Sequence, residues 1–410
     1  MKKTILIILI LTLTTLGLLL IVSCEKEQPR FRVGVLLIGD ADERSGYTYE
    51  HLRGIKEAVG YLNLASDCLI IEESVPDNDD AYIRSVIDSF ISKGCQIIIG
   101  TSYGYMTSMK AAAIDNPHVI FTHATGSLDT LPEDEPGNMN NYFGRIYQAW
   151  YLAGIVAGLN IEEEDNVGFI SSFGIENGEC TSAINAFTLG LQSVNGNSKV
   201  YVRVLGAWYA PEKEIEYATK LIVDDQCEII VTDTDTIGPA QVAKEHGKLS
   251  IGYNSDMALV LDPERSDAVL TSVLWNWSAY YKEAIKVALA CFDSDYVFVS
   301  SEKWREFGNY YGNYSTGLYK IAEVSTNDVS NVEQIISLVE ETFLQNPPEW
   351  QIFSDVQLHF EIVSGKYVLK LIERTLVDIN GNIIEEINEN DLREGMNYWL
   401  RGIVNRDDSE

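Results

Sequence analysis

Gly100-Thr101-Ser102-Tyr103-Gly104 fits G-x-S-x-G directly after the apolar run at residues 96–99, the setting in which a strand-to-helix turn presents a serine nucleophile for acyl transfer. That chemistry also needs an acid and a base, in the order Ser, Asp, His for this motif, and Asp235 with His246 are the candidates. There is no HGGG-like loop to supply an oxyanion hole, and His246 falls in a helix-like stretch at residues 241–248. Chance meets so short a motif easily, so a serine hydrolase is the lesser expectation and a non-enzyme the main one. His51, His118, His123 and His359 have no HExxH or other metal-ligand spacing, and no GxxxxGKS/T phosphate loop occurs, so neither metal nor cofactor is expected.

A second pattern is more informative. In open α/β sheets, ligands sit beyond the C-terminal ends of the strands. There the chain places Gly39-Asp-Ala-Asp42-Glu-Arg-Ser-Gly-Tyr47, then Ser102 and Tyr103, Gly206-Ala-Trp208-Tyr209, Asp233-Thr-Asp235, Gly252-Tyr-Asn-Ser-Asp256 and Trp275-Asn-Trp277. Aromatics and carboxylates recur at the same topological place in both halves. Such a set suits a flat heteroaromatic ligand gripped by stacking and hydrogen bonds.

The elements that must hold these residues are legible as alternation. Short β-branched runs at residues 32–38, 68–72, 96–99, 119–122, 167–171, 200–205, 228–232 and 269–273 are separated by amphipathic helical patterns, among them 49–62, 80–93, 105–115 and 147–159. The rhythm predicts two doubly wound α/β lobes with parallel sheets. The loop at 126–141, with Pro132 and Pro136, breaks the series and is the expected boundary between the halves. Residues 356–363 and 366–372 alternate around Ser364-Gly365, a hairpin signal.

Composition and the N-terminus set the compartment. Met1-Lys2-Lys3 and the apolar run at residues 4–22 form a secretory signal, and Ile21-Val22-Ser23-Cys24 resembles a lipobox. Cleavage before Cys24 is expected, with lipid on that cysteine, residues 24–31 as a tether, and the protein in the cell envelope on a bacterial membrane. Lys+Arg 30 against Asp+Glu 61 gives a net charge of −31. Such a surface repels phosphate backbones and excludes nucleic acid as a partner. Cys68, Cys95, Cys180, Cys227 and Cys291 form no CxxC pair and are expected as buried single thiols.

Several of these segments resemble the basic membrane protein family, lipoproteins that serve as substrate-binding components of nucleoside ABC transporters. The resemblance runs over nearly the whole mature chain. It is carried by Ile99-Gly-Thr-Ser-Tyr-Gly-Tyr-Met106, Phe121-Thr-His-Ala-Thr-Gly126, Asn141-Tyr-Phe-Gly-Arg-Ile-Tyr-Gln-Ala-Trp150, Ile184-Asn-Ala-Phe-Thr-Leu-Gly190, Ile251-Gly-Tyr-Asn-Ser-Asp-Met257 and Thr271-Ser-Val-Leu-Trp-Asn-Trp277. Leu392 to Ile403 is similar to the family's closing helix. The resemblance implies a type I periplasmic-binding-protein fold, two Rossmann-like lobes joined by a three-crossover hinge. The N-terminal lobe would take residues 32–140 plus about 275–312, and the C-terminal lobe 141–274 plus about 313–410.

By position in the family, Tyr47 stands where an aromatic stacks on the base, and Trp208 would stack from the other lobe. Asp42 falls in an acidic binding segment, where it is not separable from Glu43. Asp256 matches an aspartate that binds ribose hydroxyls, and Ser102 and Tyr103 match a pocket-lining loop. Trp275 stands where nucleoside receptors have a lysine. That departure makes a free purine base such as adenine a candidate beside a purine nucleoside. A monomer working with an ABC permease is implied, a ligand-sensing surface lipoprotein without a transporter being the alternative.

Overall fold

The computed structural model describes residues 30–42, 44–125, 136–325, 329–345, 350–364, 366–384, 387 and 396–406. The expected signal segment, Cys24, Glu43 and most of the expected boundary loop lie outside the described residues. No helix among the described residues is long and apolar enough to cross a membrane.

Short apolar runs and amphipathic segments alternate as expected. β1 (Val33–Leu36), α1 (Tyr47–Tyr61), β2 (Leu69–Glu72), α2 (Asp80–Ser92), β3 (Ile97–Gly100), α3 (Met106–Asp115), β4 (Ile120–Ala124) and β5 (Met139–Gly144) form the first half. The second runs through α4 (Tyr147–Gly158), β6 (Asn166–Ser171), α5 (Gly178–Val194), β7 (Val200–Val204), α6 (Pro211–Val223), β8 (Cys227–Thr232), α7 (Gly238–Glu245), β9 (Leu249–Asn254), α8 (Met257–Leu261) and β10 (Val269–Trp275). Then come α9 (Trp277–Leu289), α10 (Glu302–Phe307), β11 (Tyr310–Gly312), β12 (Tyr319–Ile321), α11 (Val329–Leu344), the hairpin β13 (Val356–Val363) and β14 (Lys366–Glu373), and β15 (Ile403–Asn405).

One sheet has the order β11-β5-β4-β3-β1-β2 and the other β12-β10-β9-β8-β6-β7-β15. The strands β2-β1-β3-β4-β5 and β7-β6-β8-β9-β10 share one doubly wound order, so each half has the same switch point beside its first strand. All pairings within these sheets are parallel except β12 on β10. Central strands are buried on both faces, as Ile97, Ile98 and Ile99 are, which is why they read as continuous apolar runs rather than alternating ones.

The chain passes between the sheets three times, after Gly144, between Trp275 and Trp277, and between Gly312 and Tyr319. The passages bind one another: Arg145 N–H donates to Gly312 O (2.8 Å) and Asn276 N–H to Leu318 O (2.6 Å). This is a type I periplasmic-binding-protein arrangement.

The C-terminal end differs from expectation in one respect. Residues 396–406 are not helical; Ile403 to Asn405 instead extend the second sheet, with Ile403 beside Val200. Gly402 stands at φ +106, so the chain turns there, and the edge of β7 offers backbone partners that a helix would leave unused. The hairpin pairs Val356 with Glu373 and Val363 with Lys366, as its alternation predicts. The five described cysteines are buried free thiols, also as expected.

α4 and α5 cross at contact distance because glycine removes a side chain from each. A Cβ on Gly190 would lie 2.0 Å from the Tyr151 carbonyl oxygen, and one on Gly154 would lie 2.0 Å from that of Phe187. The neighbour is backbone in both cases, so neither clash relaxes by a side-chain rotation. Gly190→Val should cost at least about 2 kcal/mol and lower the melting temperature by roughly 5 °C. An unchanged thermal denaturation midpoint would refute this account of the helix pair.

Candidate functional site between the lobes

α1 starts where the two lobes touch. Its N-terminus leaves backbone N–H groups without intrahelical partners, and both that follow the β1 loop are taken up by the opposite lobe. Gly46 N–H donates to Ser255 Oγ (3.0 Å) and Tyr47 N–H to Asp235 Oδ1 (3.0 Å). Asn254 Nδ2 donates to the same Asp235 oxygen (2.6 Å), and the Ser255 hydroxyl donates to Glu50 Oε1 in the first turn of α1 (2.8 Å). Gly46 holds φ +89 and ψ −174 to aim these amides, a conformation that a side chain would strain. A carboxylate at a helix N-terminus also gains from the helix dipole. Asp235 therefore caps a helix across the cleft, and the lobes are closed on each other here.

Three carboxylates crowd the second-lobe side. Glu179 stands in the first turn of α5, Asp233 and Asp235 just beyond β8. The Tyr253 hydroxyl donates to Glu179 Oε1 (2.9 Å), and Trp275 Nε1–H donates to the Tyr253 oxygen (2.8 Å). Asp233 accepts the Ser172 N–H (2.6 Å) and the Ser171 hydroxyl (2.9 Å). Burial pushes the Glu179 carboxyl up to about 7, with the charges of Asp233 and Asp235 adding to the rise and the Tyr253 hydrogen bond opposing it. Burial likewise pushes Asp233 up to about 6, against its serine hydrogen bonds.

Glu179 and Tyr47 are each partly exposed. Burial keeps the Tyr47 hydroxyl protonated, helped by Glu179 and Asp235, which places both acids near it.

An aromatic column crosses the second passage between lobes. Trp275 stacks on Trp277 (centroids 4.2 Å, 12° between planes), and Trp277 stacks on His51 (4.1 Å, 16°). Tyr47 meets His51 edge-on (4.3 Å, 72°), and Phe143 leans on Trp275 (4.9 Å). His51 is neutral, because burial drives its pKa well below the usual value, and its Nδ1 is 2.6 Å from the Tyr281 hydroxyl. His51 Nε2, Trp277 Nε1 and Asn254 Oδ1 are buried with no hydrogen-bond partner among the described residues. An interlobe region that combines aromatic faces, acceptor carboxylates and unmet polar atoms is fitted to hold a flat molecule rich in N–H or O–H groups.

The sequence-expected residues divide. Tyr47 and Asp235 are brought together through the helix cap. Trp275 is only 1% exposed and sits in the column rather than on an open wall. Trp208 is 37% exposed, with Phe173 against its edge (5.3 Å, 70°). Asp42 is exposed on the loop after β1, its N–H bonded to Asp40 Oδ1 (2.8 Å). Tyr103 is 64% exposed. Asp256 pairs with Arg265 (2.6 Å), while its other oxygen is buried without a partner among the described residues.

Ser102 is buried, with its hydroxyl donating to Asp77 Oδ2 (2.8 Å). Its backbone is ordinary extended chain (φ −129, ψ 145), unlike the strained turn of a hydrolase nucleophile. His123, not His246, approaches it, through Nε2 and the Ser102 carbonyl (2.8 Å).

Sequence reasoning passed over Glu179, Asn254 and His51. The signal for Glu179 was present: it ends the loop that follows β6, a strand end of the same kind as the others. His51 carried no signal, since only the packing of α1 on α9 sets it over Trp277. A surface depression of about 430 Å³, lined by Leu159, Asp165, Glu228, Lys248 and Leu249 among others, opens at the opposite end of the second sheet and has no aromatic side chain in its lining.

The raised Glu179 pKa has a stability consequence. The folded state holds this proton more tightly than the unfolded chain does, so the group's contribution falls as pH rises from about 4.5 toward 7 and stays low above that. Glu179→Gln should therefore raise the melting temperature at pH 8 by roughly 2–4 °C and leave it nearly unchanged at pH 5. Equal shifts at both pH values would contradict a buried, elevated carboxyl.

Residues 31–298 match the family described as ABC transporter substrate-binding protein, PnrA-like. The match stops short of the C-terminal hairpin and β15, so the resemblance covers less of the mature chain than expected. The chain is 33% identical over 276 residues to a purine-binding protein of Brucella abortus, covering 67% of this chain and 73% of the relative. It is 29% identical over 274 residues to a putative ABC transporter glucose-binding protein of Haloferax volcanii, covering 67% of this chain and 63% of that relative's length. Among solved structures, an ABC transporter solute-binding protein from Conexibacter woesei superposes with a TM-score of 0.57 at 19% identity, over 78% of this chain and all of that one. Family and fold are those of non-enzymatic solute-binding proteins, which overturns the serine hydrolase reading of Ser102.

Proposed function

The chain belongs to the family of PnrA-like ABC transporter substrate-binding proteins, and we propose that it is a lipid-anchored receptor that closes on a purine nucleoside or a free purine base such as adenine and delivers it to an ABC permease. Cys24, at the end of the signal segment, is the expected lipid attachment point and would hold the receptor in the cell envelope.

The observation that carries the reading is the interlobe cluster in which Asp235 caps α1 at Tyr47 and Glu179 lies within electrostatic reach of both, beside the aromatic column. A purine offers two flat faces for aromatic contact and a rim of N–H groups for carboxylates. Phosphate, by contrast, would meet three acids in a low-dielectric setting, so nucleotides are poor cargo. Trp208 and Phe173 stand at the strand ends of the second lobe, and the exposed part of Trp208 is free to cover a ligand face. Ser102, Tyr103, Asp42 and Asp256 complete the proposed binding set from the loops around the cleft. A purine is also the named ligand of the Brucella relative. The Haloferax relative's name makes a sugar the rival cargo, since hydroxyl donors would suit the same acids.

Thermal-shift screening of residues 25–410 against bases, nucleosides, sugars and amino acids separates these, because a ligand that binds only the folded state raises its melting temperature. Adenine or a purine nucleoside is expected to give the largest shift; a response to sugars alone would overturn the purine assignment. Trp208→Ala should weaken adenine binding by more than about tenfold, since a stacked face is worth about 1 kcal/mol beyond the burial lost with it. Unchanged affinity in calorimetric titration would remove Trp208 from the site.

A further inference from the structure

We propose that Glu179 decides which edge of the ligand this receptor accepts, and that Tyr253 and Trp275 are positioning residues that aim it from the hinge. The inference rests on the interlobe binding reading above. An indole N–H can only donate, so the bond from Trp275 Nε1 to the Tyr253 oxygen (2.8 Å) makes that oxygen an acceptor. The single Tyr253 proton is then directed to Glu179 Oε1 (2.9 Å). With Oε1 engaged, Oε2 is the carboxyl atom left to meet a ligand held between the lobes.

Trp275 is itself fixed, stacked on Trp277 at 4.2 Å and flanked by Phe143 at 4.9 Å where the chain crosses between lobes. The orientation of Glu179 is therefore set by the most constrained part of the hinge rather than by its own helix turn. Trp275 thus acts on the site although its ring is buried in the column, because its N–H reaches Glu179 through two hydrogen bonds.

The groups that face Glu179 are Asp233 and Asp235 from beyond β8, Tyr253 from β9 and Tyr47 from α1. When ionised, Oε2 accepts an N–H or amino edge. When protonated, with Oε1 already receiving the Tyr253 hydrogen, the proton sits on Oε2 and opposes a ligand donor. Burial and the two aspartates hold this change at about 7, so it falls within the range of ordinary media. The ligand selects the ionised form, and affinity for a donor edge should rise with pH through that point.

Adenine titrations of the full mature chain at pH 6 and pH 8 test this. Wild-type affinity should increase by about fivefold or more across that interval. Glu179→Gln, which presents an amide N–H to the ligand donor, should weaken adenine binding at pH 8 by at least about tenfold and flatten the pH profile. Tyr253→Phe and Trp275→Phe keep aromatic rings in place but remove the donors, and should give smaller losses together with a higher midpoint for the pH effect. In the ligand-free protein, carboxyl carbon NMR should show a group titrating near 7 that is absent in Glu179→Gln and moves upward in Tyr253→Phe. A flat wild-type profile with unchanged affinity in Glu179→Gln would overturn the proposal while leaving the purine reading intact. Failure of adenine and adenosine to bind the wild type would sink the purine reading; the positioning chain would then stand or fall on the carboxyl titration alone.

Discussion

Asp235 and its neighbour Ser255 hold the closed arrangement together at the start of α1. Asp235 accepts the first helical amide of α1 and the side-chain amide of Asn254, so an unmet donor of one lobe and a polar side chain of the other share a single oxygen. A helix cap of this kind contributes on the order of 1 kcal/mol, and more when the acceptor is charged. Ser255 adds two bonds across the same contact, to Gly46 and Glu50, so the latch amounts to about a few kcal/mol. A latch of this size leaves closure open to being tipped by a ligand with comparable differential affinity for the closed state. Gly46 makes the latch possible, because its positive φ turns two successive amides toward the partner lobe.

The hinge is stiffer than the latch. Three passages of chain run side by side and hydrogen-bond to each other, and the second is bracketed by two stacked tryptophans. Stacked pairs contribute about 0.5–1.5 kcal/mol each beyond burial, and this column extends through His51 into α1. The residues that ride on the column, Tyr47 on one side and Tyr253 with Glu179 on the other, keep a defined relation to it.

Electrostatics bears on what the proposed site would accept. The molecule carries −31 overall, and Glu179, Asp233 and Asp235 stand close together where water is scarce. There the charges of Asp233 and Asp235 add to the burial that raises the Glu179 pKa. Protonation relieves the tension in one way, and a donor-rich neutral ligand relieves it in another. The serines around Asp233 direct their hydrogen bonds to its ionised form, which leaves Glu179 as the acid with more latitude.

Fold class, strand order of appearance and the strand-end positions of Tyr47, Trp208, Asp235 and Trp275 were all readable from local pattern, because a parallel sheet imposes continuous apolar runs and its topology fixes where ligands go. The closing segment departed from what the family resemblance implied, because the open edge of β7 supplies Ile403 to Asn405 with backbone hydrogen bonds as a strand. Which strand-end residues meet was settled only in three dimensions. That Asp235 meets the N-terminus of α1, and that Trp275 is enclosed by Trp277 and Phe143, came only from the packing. Glu179 gains its significance from a tyrosine and a tryptophan that lie 74 and 96 positions further along the chain. Local pattern was enough to say which types of side chain stand at the strand ends. Their partners follow from the packing of the lobes, because burial and hydrogen bonding depend on which elements the hinge brings together.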